Sequence, residues 1–211
     1  MSLKEKLDAF KTKSGARLPE EAKKIMDDAA EKLADQGLEK SALTAGDKIP
    51  DFTLKNTAGK DVNVYDLLGQ GPLIINFYRG SWCPYCNLEL KAYQELLPQI
   101  KEKGGSIISI SPDLPEVSSA LAEKLALGFD LLSDLNHQVA RQFGLVFTLD
   151  DRLLSLYKEW GMDLAMAQGN ESGELPFPAT FVVDREGTIL YAQVSSDYTK
   201  RLEPAEALAA L

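Results

Sequence analysis

Leu73-Ile74-Ile75-Asn76-Phe77-Tyr78-Arg79-Gly80-Ser81-Trp82-Cys83-Pro84-Tyr85-Cys86 decides how this chain is read. The first six residues are almost unbroken apolar sequence, the pattern of a strand buried on both faces. Beyond the cysteines, Leu90, Tyr93, Leu97 and Ile100 recur at helical spacing, so Leu88 to Lys103 is predicted to be a helix. The stretch therefore reads as strand, Cys-x-x-Cys loop, helix. Two cysteines separated by two residues can close a disulfide with little chain movement. At a helix N-terminus, unpaired backbone amides and the helix dipole favour a thiolate. Such a site can lower a thiol pKa from about 8.5 to roughly 3.5–7.5. A thiolate attacks disulfides and peroxides; a thiol does not.

Zinc also uses Cys-x-x-Cys, but a structural zinc site needs four ligands. Here only His137 and carboxylates remain to join Cys83 and Cys86, so no metal is expected. With two cysteines in the whole chain, a transient catalytic disulfide is a better expectation than a structural one. The other composition features narrow the partners. The formal net charge of −9 repels phosphate backbones and anionic membranes, so neither nucleic acid nor membrane is expected. No apolar run is long enough to span a bilayer, and the charged start Met1-Ser2-Leu3-Lys4-Glu5-Lys6 is unlike a secretory signal. A cytoplasmic location is the expectation.

Outward from the decisive stretch, the chain divides in two. Residues 1–44 are charged and helix-prone, with Leu3, Leu7 and Phe10 on one stripe. Pro19 opens a second helical run whose apolar side holds Ile25, Met26, Ala29 and Leu33, and Gly37 suits its end. This is an N-terminal helical extension, expected to serve as a packing or dimer arm. Residues 45–211 form the body. Ile49 to Leu54 and Val62 to Tyr65 read as a hairpin. Ser106 to Ile110 is a buried strand, Pro115 to about Leu127 a helix, and Gly128 to Leu132 a short strand. Asn136 to Gln142 is a short helix. Thr180 to Asp184 and Thr188 to Val194 form a final hairpin, and Pro204 starts the last helix. Residues 145–175 are too long for a plain connection. Within them Asp150 to Trp160 looks helical, and Trp160, Met162, Leu164 and Met166 are either core or a lid over the cysteines.

Pro178, in Phe177-Pro178-Ala179-Thr180, can occupy the first residue of a strand because it lacks an N–H. Next to a Cys-x-x-Cys loop a cis bond is expected there, turning backbone groups toward the thiols. Arg79 is positioned to hold a thiolate or a peroxide oxygen by charge-assisted hydrogen bonds. Trp82 is expected to pack on the loop and exclude water, and Tyr85 to do the same or face a partner.

The chain resembles the peroxiredoxin (AhpC/TSA) family of the thioredoxin superfamily, specifically members bearing a Cys-x-x-Cys. The resemblance runs over about residues 43–211. It rests on Ala45 to Leu54, on Ser133-Asp134 with Val139 to Leu145, and on Pro178 to Asp184. It implies an α/β thioredoxin-like fold, a central mixed sheet flanked by helices, with no bound cofactor. It further implies reduction of hydrogen peroxide or organic hydroperoxides, a thioredoxin-like or other dithiol reductant, and a possible homodimer. Family members carry Thr or Ser three residues before the peroxidatic cysteine and often Glu three after it. On this sequence Cys86 takes that place, Glu89 matches the later Glu, and Cys83 stands where Thr would. The loop proline falls at Arg79 or Gly80, and Pro178 stands where the family's distant arginine belongs. Thioredoxins use the opposite logic: their first cysteine, matching Cys83, attacks and the second, matching Cys86, resolves. Three functions stay open on sequence: a peroxidase, a protein disulfide reductase without peroxidase activity, and a non-enzymatic redox-sensing module.

Overall fold

The computed structural model describes residues 1–211. Two helices come first, α1 (Leu3–Gly15) and α2 (Glu20–Gln36). Ser2 and Glu5 close a reciprocal cap at the start of α1, which satisfies two otherwise free amides. Gly37 ends α2 in the left-handed conformation that glycine adopts without strain.

The hairpin follows as β1 (Thr53–Asn56) and β2 (Asp61–Asn63), and the chain then turns directly into α3 (Val64–Leu68). This departs from the predicted strands at Ile49–Leu54 and Val62–Tyr65. Asn63 is the reason at the second: its Oδ1 accepts from the amides of Tyr65 and Asp66 and starts a helix. Next come β3 (Leu73–Phe77), α4 (Pro84–Glu102), β4 (Ser106–Ser111), α5 (Pro115–Leu125), β5 (Asp130–Ser133) and α6 (Gln138–Gln142). The predicted helix at Leu88 in fact begins four residues earlier, at Pro84, because proline at the first helical position already has the required φ and no amide to satisfy.

The segment 145–175 holds β6 (Val146–Thr148), α7 (Asp151–Glu159), α8 (Leu164–Gln168) and β7 (Glu174–Pro176). Strands β6 and β7 pair as a separate antiparallel ribbon that three-residue strands do not announce in sequence. The chain closes with β8 (Ala179–Val183), β9 (Ile189–Val194) and α9 (Pro204–Ala210). The main sheet has seven strands in the order β2-β1-β5-β4-β3-β8-β9. Its centre, β5-β4-β3, is parallel, and β8 runs antiparallel to β3. Every residue of β3 and β8 is buried, as the unbroken apolar runs require. This is the mixed α/β thioredoxin-like architecture.

The larger core cluster includes Phe77, Phe143 and Phe181, with ring centroids 4.9–6.1 Å apart. A second cluster holds both cysteines together with Leu3 and Leu7 of α1. No helix is long and apolar enough to cross a membrane.

Candidate active site

The loop from β3 to α4 is held at each step. Gly80 runs at φ 151°, and a Cβ there would lie 2.4 Å from Trp82 Nε1 and 2.9 Å from Asp113 Oδ1, so only glycine fits. The Ser81 amide donates to Asp113 Oδ2 at 2.7 Å, and the Cys83 amide donates to the Gly80 carbonyl at 3.1 Å. Asn87 Nδ2 reaches back to the Ser81 carbonyl at 3.0 Å. Burial pushes the Asp113 carboxyl up to about 6 despite the Ser81 bonds.

Cys83 is the residue that precedes α4, with φ −85° and ψ 113°, and Pro84 is the first helical residue. Cys86 lies in the first turn. Both thiols are free, and both residues are buried, at 1% and 0% exposure. Cys83 nevertheless lines a groove of about 470 Å³, whose walls include Phe10, Trp82, Tyr157 and Tyr198.

Each cysteine has its own buried arginine. Arg79 Nη1 lies 3.9 Å from Cys83 Sγ, and Arg79 Nη2 donates to the Tyr157 hydroxyl at 3.1 Å. The guanidinium is packed over Trp82 and Tyr198, 4.8 and 4.6 Å from their ring centroids. Arg201 Nη2 lies 3.3 Å from Cys86 Sγ, and Arg201 Nε pairs with Glu89 Oε2 at 2.7 Å, both side chains 1% exposed. Arg201 Nη1 also donates to the carbonyls of Tyr198 and Lys200, which locks its fork in place.

The two thiols ionise differently. Burial opposes an anion at Cys83, but a hydrogen bond from the Cys86 thiol and the charges of Arg79 and Arg201 outweigh it and hold its pKa well below that of a free thiol. Burial and the neighbouring Cys83 push Cys86 upward. The two thiols therefore titrate as a coupled pair, with the anion favoured on Cys83. Burial lifts Glu89 to about 7 against the pull of Arg201.

The structure brings Cys83, Cys86, Arg79, Trp82 and Glu89 together around the start of α4. Pro178 stands differently from the sequence expectation. Every peptide bond is trans, so the expected cis Pro178 does not occur. Only Phe177 and Pro178 separate β7 from β8. Pro178 is buried beside Arg79 and Tyr198 in a narrow cavity under α2. Among the residues of the 160s, Leu164 is core, Met166 is 76% exposed, and Trp160 and Met162 border the groove. His137 is buried away from the thiols, with neither ring nitrogen paired and a φ of 58°. No three His, Cys, Asp or Glu side chains gather anywhere as a metal site.

Sequence reasoning missed Arg201, Tyr157 and Tyr198. Arg201 follows Lys200 in a polar stretch that reads as an exposed loop. No local signal in the sequence marks it.

Residues 45–192 match the sequence model of the AhpC/TSA family. Peroxiredoxin Bcp of Escherichia coli (strain K12) is 40% identical over 102 residues, a match covering 48% of this chain and 65% of that protein. The chain thus spans just under two thirds of that relative's length. Chloroplastic peroxiredoxin Q of Triticum aestivum is 28% identical over 177 residues, 84% of this chain and 71% of that protein. The crystal structure of peroxidoxin BcpB from Mycobacterium tuberculosis superposes with a TM-score of 0.63 at 26% identity, covering 80% of this chain and 96% of that one. With its fold, its Cys-x-x-Cys loop and 45–192 all in agreement, the chain belongs to the AhpC/TSA family.

Proposed function

We propose that this protein is a thiol-dependent peroxidase in which Cys83 attacks and Cys86 resolves. The observation that carries it is that Cys83 faces the groove, holds the depressed pKa, and has Arg79 3.9 Å away. The Cys83 thiolate attacks the terminal peroxy oxygen of ROOH. An S–O bond forms, the O–O bond breaks, and RO⁻ leaves, taking the proton that Cys86 holds to become ROH. Cys83 is now a sulfenic acid. The Cys86 thiolate attacks its sulfur, forming the Cys83–Cys86 disulfide and expelling hydroxide, which a solvent proton converts to water. A thioredoxin-like or other external dithiol then takes up the oxidation and restores both thiols. Arg79 supports the anion of the first step and Arg201 that of the second, each by a charge-assisted bond to sulfur. Trp82 shields the loop, and Glu89 holds Arg201 in line. A reducing compartment such as the cytoplasm suits this cycle, and a homodimer is compatible with it.

These roles reverse those of the family alignment, in which Cys86 has the peroxidatic place. One equivalent of peroxide, added to reduced Cys86→Ser protein with a sulfenic-acid trap, is expected to label Cys83. Labelling of Cys86 in Cys83→Ser at the wild-type rate instead would reverse the assignment. A second reading, protein disulfide reduction, is favoured by the same nucleophile at the first cysteine. Insulin reduction that needs Cys83, with no peroxide consumption, would select it.

A further inference from the structure

Helices α1 and α2 lie outside the family match at 45–192, yet they do not pack away from the thiols. Phe10 of α1 meets Tyr85 edge to face at 5.2 Å. Leu18, Met26 and Ala30 stand across from Trp82, Tyr157 and Tyr198 and close the groove that Cys83 lines. Under α2 the cavity continues, with Met26, Ala30, Arg79, Tyr157 and Tyr198 shared between its two parts. Hydrogen peroxide needs no such walls.

Eleven of the twenty lining residues are hydrophobic, so the occupant carries a substantial apolar part. Lys11, Lys23 and Arg79 face Asp27, Asp197 and the Cys83 thiolate, so the charges around the groove balance and no excess positive charge is left to select an anion. Two buried donors on its lining lack partners, Arg79 Nε and Trp82 Nε1. Arg79 is 2% exposed, borders both parts of the cavity, and its Nε has no partner. A buried donor without an acceptor costs free energy unless a ligand oxygen satisfies it. The same guanidinium reaches Cys83 Sγ at 3.9 Å through Nη1, so a peroxide at that sulfur lies against Arg79.

We propose that α1 and α2 form a substrate-selecting wall, and that the preferred substrate is a neutral hydroperoxide with a bulky aryl or branched alkyl substituent. The apolar part lies between Met26 and Trp82, and the peroxy oxygens face Arg79 and Cys83. The inference rests on the peroxidase reading and names its substrate class; the electron and proton balance is the one given there, with R a carbon group.

The test compares cumene hydroperoxide with hydrogen peroxide, using dithiothreitol as reductant, for wild type, Met26→Glu and Ala30→Phe. Ala30 is exposed, so its variant is expected to fold even if Met26→Glu does not. The chain's two tryptophans, Trp82 and Trp160, both border the groove and report binding of the product, cumyl alcohol, by fluorescence without any turnover. Wild type is expected to favour cumene hydroperoxide in kcat/KM and to show a saturable fluorescence change with cumyl alcohol. In each folded variant the cumene-to-hydrogen-peroxide ratio of kcat/KM is expected to fall roughly tenfold or more, the scale on which a shaped apolar pocket discriminates. Hydrogen peroxide turnover with an unchanged ratio in the variants overturns the wall and leaves the peroxidase reading standing. A fluorescence change with no turnover of either peroxide overturns that reading and the substrate assignment with it.

Discussion

Cys83 and Cys86 share one helical turn, yet they have unlike surroundings. Around Cys83 stand a groove, three aromatic rings and an arginine that they hold by its faces. Around Cys86 lies a sealed polar chain in which Arg201 joins the sulfur to Glu89. Asn76, Thr180 and Tyr93 continue the polar contacts deeper in the sheet. Both sulfurs feel the same helix end, so the dipole cannot distinguish them. What separates them is which one borders a groove and which one the surroundings favour as an anion. The lesson is that position in a Cys-x-x-Cys motif assigns chemistry only through the contacts each thiol makes.

The sharpest way to break this contrast is to remove each sulfur in turn. Cys83→Ser is expected to lose peroxide consumption by several orders of magnitude, as when any nucleophile is deleted. Cys86→Ser is expected to keep one rapid turnover and then stop with a stable sulfenic acid on Cys83. Stopped-flow peroxide loss and mass spectrometry distinguish the two.

The sealed side is expected to matter most for stability. Glu89→Leu strands the Arg201 charge in the interior and should cost about 3–5 kcal/mol in urea unfolding. Adding Arg201→Met should recover most of that loss, since no charge is then left unpaired. If the single variant is as stable as wild type, the ion pair is not what seals Cys86.

A smaller effect is expected on the groove side. Arg79→Met should raise the pKa of the Cys83 thiolate by roughly one unit, about 1.4 kcal/mol, read from ultraviolet thiolate absorbance against pH. An unmoved titration would mean that the Cys86 hydrogen bond and Arg201 hold the anion without Arg79.

The subtlest effects lie in the pH dependence of folding. Glu89 rises from 4.5 to about 7 because burial outweighs its arginine, so the folded state holds this proton more tightly than the unfolded chain does. Its contribution is complete below pH 4.5 and is lost as pH rises through about 7. His137, lowered by burial from 6.5 to about 4, acts in the opposite direction: stability is lost as pH falls through that window. Relative to wild type, the urea midpoint of Glu89→Gln should therefore rise as pH goes from 4.5 to 7, and that of His137→Asn should rise as pH falls from 6.5 to about 4. Asparagine is the suitable replacement because it tolerates the left-handed backbone at that position.

Much of this was legible in the chain. Leu73 to Phe77 could only be a buried strand, and the apolar spacing of Leu90, Tyr93, Leu97 and Ile100 could only line one face of a helix. Short elements were less legible. The ribbon of β6 and β7 has three residues per strand, too few for a period to show, and Asn63 turned a predicted strand into a helix through two side-chain bonds. At the site, Cys83, Cys86, Arg79, Trp82 and Glu89 could be named because they surround one motif. Arg201 lies 115 residues from Cys86, and no local pattern marks an arginine that a distant loop will carry inward.

Local sequence by itself determined the strand, the helix and the two thiols at their junction, because backbone geometry and hydrophobic spacing are properties of neighbouring residues. Tertiary structure alone decided which thiol borders a groove, which arginine lies beside each sulfur, and that the first two helices wall that groove. Those depend on burial and on charges a few ångströms apart in space, and residues far apart in the chain supply both.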